Sequence, residues 1–121
     1  HLVLPFLKFR RQRPTMPRKM GWVTGACFLV RRKATESVGG FDEDIFMYYE
    51  DVDLCYRIRE MGLRICFFPG ANIIHYRNKA PVEDKRRKRM MYNGLYLFSR
   101  KHYSWRRKGL TLLVVSILQN E

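Results

Sequence analysis

The spacing of apolar residues changes several times along the chain, and each change marks an element. Trp22–Val30 (WVTGACFLV) is a run of apolar and β-branched residues, which predicts a buried strand with Gly25 inside it. A glycine within a strand marks a place where a ligand or another backbone comes close. Arg32–Val38 predicts a short helix closed by Gly39-Gly40, and 41–49 (FDEDIFMYY) an aromatic, acidic loop. From Glu50 to Met61 the period is helical. Leu54, Ile58 and Met61 fall at i, i+4 and i+7, Val52 and Cys55 lie beside them, and Gly62 follows as a stop. Asp53 and Arg57 stand one turn apart and can pair. Arg64–Phe68 predicts a strand broken by Pro69-Gly70, and Ala71–Tyr76 a second short strand. After Pro81, residues 83–103 read as one long helix, with Met91, Leu95 and Phe98 at core spacing. Helices separated by strands, with no internal repeat, give an α/β class.

Length and charge narrow this picture. A chain of 121 residues supports one compact domain with a modest core. With 46% hydrophobic and 14% aromatic residues it is not disordered. Cys27, Cys55 and Cys66 are odd in number and show no CxxC spacing, which argues against a disulfide scaffold or zinc site and fits a reducing compartment. The longest apolar run, Leu110–Leu118, falls well short of the roughly 20 residues a membrane-spanning helix needs. The chain opens at His1 directly into apolar residues and reads as an excised piece of a longer polypeptide.

The net charge of +13 is unevenly spread. Residues 42–64 carry a net −4, so the rest carries +17. Basic clusters at Arg10–Arg13, Arg18/Lys19, Arg31–Lys33, Lys85–Arg89 and Arg106–Lys108 suit anionic partners or simply solvated faces. The acidic island is the sharper feature. Crowded carboxylates repel one another, so a metal, nearby bases or catalytic use must account for them.

Three segments converge on one chemistry: Gly39-Gly40-Phe41-Asp42-Glu43, then Tyr49-Glu50-Asp51-Val52-Asp53-Leu54, then Pro69 followed six residues later by His75. In this order they resemble the C-terminal half of family 2 glycosyltransferases, particularly bacterial rhamnosyltransferase-like members. The resemblance runs from Gly21 through Tyr103 and includes Gly25-Ala26, Arg31-Arg32 and Phe98–Tyr103. It implies the acceptor-side part of a GT-A fold, an incomplete mixed sheet with flanking helices. The implied organisation is a basic connector over 1–20, an acceptor and catalytic-base half over 21–105, and a basic-apolar tail over 106–121 that can lead toward a membrane-associated segment.

The resemblance also implies roles. Asp51 maps onto the general base of an inverting transfer from a nucleotide-diphosphate sugar to a glycan or lipid-linked acceptor. Glu50 stands beside it in the catalytic pair, positioning helix or acceptor. His75 maps near the metal and diphosphate, and Gly25, Ala26, Gly40, Asp42 and Arg77 near substrate. The family's His-x-Gly-Gly-x-Ser is replaced here by His75-Tyr76-Arg77-Asn78-Lys79-Ala80. A divalent metal, Mg or Mn, belongs to the full-length enzyme, with none expected on this piece, and the metal-binding D-x-D belongs to the other half. Asp51-Val52-Asp53 is not that triplet, and Asp53 reads as Arg57's structural partner.

The piece alone is expected to be inactive. Cell-surface polysaccharide synthesis would place the enzyme in the cytoplasm or at the membrane's cytoplasmic face, with peripheral contact to anionic lipid, and an excised half can self-associate through its open sheet edge. The competing reading is a non-enzymatic basic module for nucleic acid or anionic membrane, resting on Lys85–Arg89 with Tyr92, Tyr96 and Phe98 nearby. No sequence-specific nucleic-acid motif is present. For Glu50 and Asp51 the simpler alternative is dipole stabilisation in a helix's first turn, worth about 0.3–1 kcal/mol.

Overall fold

A computed structural model describes residues 15–76 and 83–119. In chain order the elements are β1 (Arg18–Met20), α1 (Arg32–Ser37), α2 (Glu50–Glu60), β2 (Ile65–Phe67), α3 (Asp84–His102) and α4 (Trp105–Gln119). The class is mixed α and β. The sheet is a two-stranded antiparallel ribbon in which Arg18 faces Phe67, Lys19 faces Cys66 and Met20 faces Ile65. All three helices expected ahead of the tail form within a residue or two of their expected ends. The apolar run Leu110–Leu118 lies in α4.

The strands differ from expectation. β1 falls inside the stretch read as a basic connector, because a three-residue edge strand is too short to show alternation. Trp22–Val30 is no strand. Its first half runs antiparallel to α2 instead: Arg59 donates to the Gly21 carbonyl (3.4 Å), the Val23 amide reaches the Cys55 sulfur, and the Gly25 amide donates to Asp51 Oδ2 (2.7 Å). The register has a simple geometric cause. Two residues of extended chain advance about 6.6 Å, close to the 6 Å that four helical residues rise. Residues 21, 23 and 25 therefore meet side chains 59, 55 and 51 in turn. The Gly25 backbone does make a close approach, but to a helix side chain. Ala71–Tyr76 is also irregular and exposed rather than a strand.

The core is small and centred on the contact of α2 with α3. Leu54, Cys55 and Ile58 from α2 and Leu95 and Phe98 from α3 are buried, together with Ala34, Ile45 and Val115. Phe98 gathers Tyr49, Tyr56, His102 and Tyr103 around its ring, with centroids 4.8–5.8 Å away. Met61 and Met91, expected on the core faces, are exposed: Met61 lies past the end of α2. At Tyr103 the backbone turns extended, which separates α3 from α4. Val115 of α4 is buried, whereas Leu110 and Leu113 are exposed. No helix among the described residues is long and apolar enough to cross a membrane.

One contact fixes how closely α3 approaches. Tyr48 and Tyr49 both adopt left-handed backbone (φ 62° and 71°), although neither is glycine. Such residues persist only when their surroundings hold them. Gly94 of α3 lies against them, and a Cβ there would stand 2.3 Å from the Tyr48 carbonyl oxygen. Alanine in a helix interior normally gains about 1 kcal/mol over glycine. Here Gly94→Ala is expected to lose about 1–3 kcal/mol, since backbone has to move. Urea denaturation measures this, and a stabilised variant would contradict the close approach.

Candidate active site

Helix α2 opens with Glu50, Asp51 and Asp53, and no side chain caps it. Residues 51 and 53 are about 200° apart around a helix, so their carboxylates serve opposite sides. Asp51 is half-buried. Its Oδ2 accepts the Gly25 amide (2.7 Å) and its Oδ1 the Val52 amide (2.8 Å). Among the described residues it has no ion pair and is neither sealed in the core nor held by an arginine. Each carboxylate oxygen has two acceptor positions, so both keep one for another donor.

Asp53 is completely buried. Arg57 lies one turn on, with Nε 2.7 Å and Nη2 2.6 Å from Asp53 Oδ2. The same guanidinium donates to the Val38 carbonyl and to the Gly40 carbonyl (2.8 Å), tying the end of α1 to α2. Asp53 Oδ1 meets His102 Nε2 at 2.6 Å. The carboxylate oxygen accepts, so that nitrogen carries the hydrogen. The expected Asp53–Arg57 pair is therefore present, as part of a larger network.

The sequence-predicted residues separate into groups. Gly25 is brought against Asp51, and Ala26 follows it in an exposed turn. Gly40 has left-handed backbone (φ 78°), as a helix-terminating glycine should, and its carbonyl is held by Arg57. Asp42 is bound to Lys101 (2.5 Å), which also contacts Asp44 (2.8 Å), and Asp42 Oδ1 accepts the Asp44 amide. The Lys101 bond holds the Asp42 carboxyl below its usual value and raises the Lys101 ammonium above its own. His75 is exposed in the irregular stretch 71–76, and among the described residues no hydrogen bond or ion pair joins it to Glu50 or Asp51. Arg77 lies outside the described residues.

Glu50 is the unusual acid. Its Oε2 is buried without a hydrogen-bond partner among the described residues. Burial raises its pKa, the neighbouring Asp51 adds to the rise, and its own amide partly offsets it. Of the two aromatics nearest the motif, Tyr49 packs on Phe98 (5.8 Å), and Trp22 is half-buried. A small cleft of about 60 Å³ opens between 44–47 and α3, lined by Asp44, Ile45, Phe46, Met47, Met90, Asn93 and Gly94. Asp51 does not line it. His102 and Gly94 carried no role in the sequence reading. The only available signal for His102 was its place in the Phe98–Tyr103 segment.

The Glu50 shift has a consequence with a definite sign. A carboxyl whose folded-state pKa is raised stabilises the fold below the ordinary carboxylate range and loses that contribution as pH rises through the folded value. Glu50→Gln is thus expected to raise the melting temperature near neutral pH and to change it less at about pH 4. Thermal denaturation at both pH values tests this. A neutral-pH loss of stability would contradict it.

Comparison with known proteins adds an independent line. Residues 2–119 match the family described as glycosyl transferase family group 2. A 95-residue stretch is 38% identical to N-acetylglucosaminyl-diphospho-decaprenol L-rhamnosyltransferase of Mycobacterium tuberculosis, covering 77% of this chain and 31% of that protein. Rhamnosyltransferase WbbL of Escherichia coli K12 is 44% identical over 55 residues, 46% of this chain and 21% of its own length. Pre-mycofactocin glycosyltransferase of M. tuberculosis is 34% identical over 86 residues, 70% of this chain and 18% of its own length. The chain thus spans less than a third of the length of each relative. No solved structure matches it. With the family matching nearly end to end over the Glu50-Asp51 helix and its glycine partner, the chain belongs to glycosyl transferase family group 2.

Proposed function

We propose that this chain is the acceptor-side part of an inverting glycosyltransferase acting in cell-surface polysaccharide synthesis, with Asp51 as its general base. The observation that carries the reading is the Asp51 carboxylate, fixed by two backbone amides and free of any cation among the described residues. A sugar hydroxyl is a poor nucleophile at neutral pH. A carboxylate within hydrogen-bond reach takes its proton as the oxygen attacks the anomeric carbon. The nucleotide diphosphate leaves from the opposite face, and the anomeric configuration inverts. An arginine on Asp51 would weaken it as a base. The amides of Gly25 and Val52 orient it while leaving acceptor positions open. Glu50, beside it and half-buried, is assigned to acceptor positioning. The donor is a nucleotide-diphosphate sugar and the acceptor a glycan or lipid-linked glycan; the M. tuberculosis relative is named for a diphospho-decaprenol-linked sugar.

The donor site is assigned to residues outside this segment, so the isolated chain is expected to show no turnover. Among the described residues no group of three or more His, Cys, Asp or Glu side chains assembles as a metal centre. A divalent metal therefore does not fit on these residues alone. His75 is proposed as a contact to the donor diphosphate. The basic-module alternative is disfavoured by Phe98, which is 3% exposed and offers no face for base stacking.

In the full-length enzyme Asp51→Asn is expected to lower transfer by about 10²–10⁴-fold, with donor binding retained. Rates close to wild type would reject the assignment. His75→Ala is expected to raise the donor KM about fivefold, the loss of one hydrogen bond. An unchanged donor KM would remove His75 from the site.

A further inference from the structure

The last turn of α3 carries two consecutive side chains that reach different parts of the site. Lys101 holds Asp42 and Asp44 of the loop, and His102 holds Asp53 of α2. The geometry points to His102 as a positioning residue for the reaction: by fixing buried Asp53 from the far side of α2, it sets the direction in which Asp51 projects. This rests on Asp51 being the base.

The first turn of α2 is held by few contacts of its own. No side chain caps it, and Tyr49 enters it with left-handed backbone. Besides the packing of Tyr48 and Tyr49 on α3, its two aspartates are the side chains of this turn that bond to other parts of the chain. Asp51 is tied to the Gly25 amide on one side, but residues 21–25 are largely exposed or half-buried and make no sheet ladder. They are a weak anchor. On the other side Asp53 is inaccessible to solvent and bonded to both Arg57 and His102. Arg57 belongs to α2 itself and moves with it. Beyond α2, the hydrogen bonds of Arg57 among the described residues go to backbone carbonyls of the 38–40 turn. His102 is the side chain on Asp53 that comes from a separate long helix, and its ring packs against both Tyr56 (4.5 Å) and Phe98 (4.8 Å). It is thus the rigid reference against which the start of α2 is set. Misplacing a reacting group by about 1 Å can cost about a hundredfold in rate, so a residue on the opposite side of α2 from Asp51 can govern kcat.

Glutamine places its amide nitrogen near the position of histidine Nε2, asparagine falls short of it, and alanine removes the donor. In the full-length enzyme His102→Ala is expected to lower kcat about 10- to 100-fold with acceptor and donor KM within about twofold of wild type. His102→Gln is expected to recover most of the loss and His102→Asn little of it. A second readout needs no turnover. Hydrogen exchange at the Gly25 amide, which reports its bond to Asp51, should speed up in His102→Ala and return toward wild type in His102→Gln, measured well below the melting temperature. Where the alanine enzyme does not fold, the Gln and Asn pair carries the comparison. Wild-type kcat in both His102→Ala and His102→Asn overturns the positioning role, as does Gly25 exchange unchanged in both. Asp51→Asn measured in parallel separates the two ideas. If it is as active as wild type, the base assignment fails, whereas an inactive Asp51→Asn beside a fully active His102→Ala removes the positioning role alone.

Discussion

A carboxylate without solvent is the constraint on which the rest of this structure depends. Burying an ion costs several kcal/mol unless it is paired and hydrogen-bonded, and Asp53 meets that demand by collecting partners from two other parts of the chain. Arg57 brings the carbonyls of Val38 and Gly40 with it, and His102 brings the end of α3. A core of so few fully buried side chains is thereby given a single arrangement. The apolar contacts of Leu54, Ile58, Leu95 and Phe98 supply attraction without direction, whereas the bonds to Asp53 select which faces meet. Removing one partner would leave the charge buried and unmatched, a much larger loss than the pair's net contribution.

Neighbouring bases account for part of the acidic island. Three of its acids have bases: Asp42 and Asp44 share Lys101, and Asp53 is paired with Arg57 and hydrogen-bonded to His102. Among the described residues Glu50 and Asp51 have none. An acid matched by a base is explained by folding, and one left without a base calls for another explanation. Of the acids without a base, Glu50 and Asp51 are adjacent, begin a helix, and stand beside an extended segment whose Gly25 amide lies 2.7 Å from Asp51 Oδ2. Alternate residues of one turn thus face opposite ways, Asp53 buried and Asp51 half-buried beside Gly25.

The helices were legible because their signals are local. Apolar period, the stop at Gly62 and the i, i+4 pairing of Asp53 with Arg57 all lie within a few turns of chain, and they fixed α2 and α3 closely. The strands were not, because a strand is defined by its partner. Trp22–Val30 has strand composition, yet its backbone amides find α2 side chains, and nothing in the run itself says so. β1 is invisible for the opposite reason, being three residues of a basic stretch that happen to meet β2. At the site, the Glu50-Asp51 motif and its glycine could be read from the sequence. His102 could not, since its partner is 49 residues away and no spacing rule links them. The pairing of Asp42 with Lys101, 59 residues on, was hidden in the same way.

The central claim is that Asp51 takes a proton from the acceptor hydroxyl. Its most direct test is the pH dependence of kcat/KM for sugar transfer by the full-length enzyme, with the residual activity of Asp51→Asn followed over the same range. The account predicts a wild-type profile that falls on the acid side as the carboxylate is protonated, and a variant profile that lacks this fall. The same acid limb in both enzymes would contradict it.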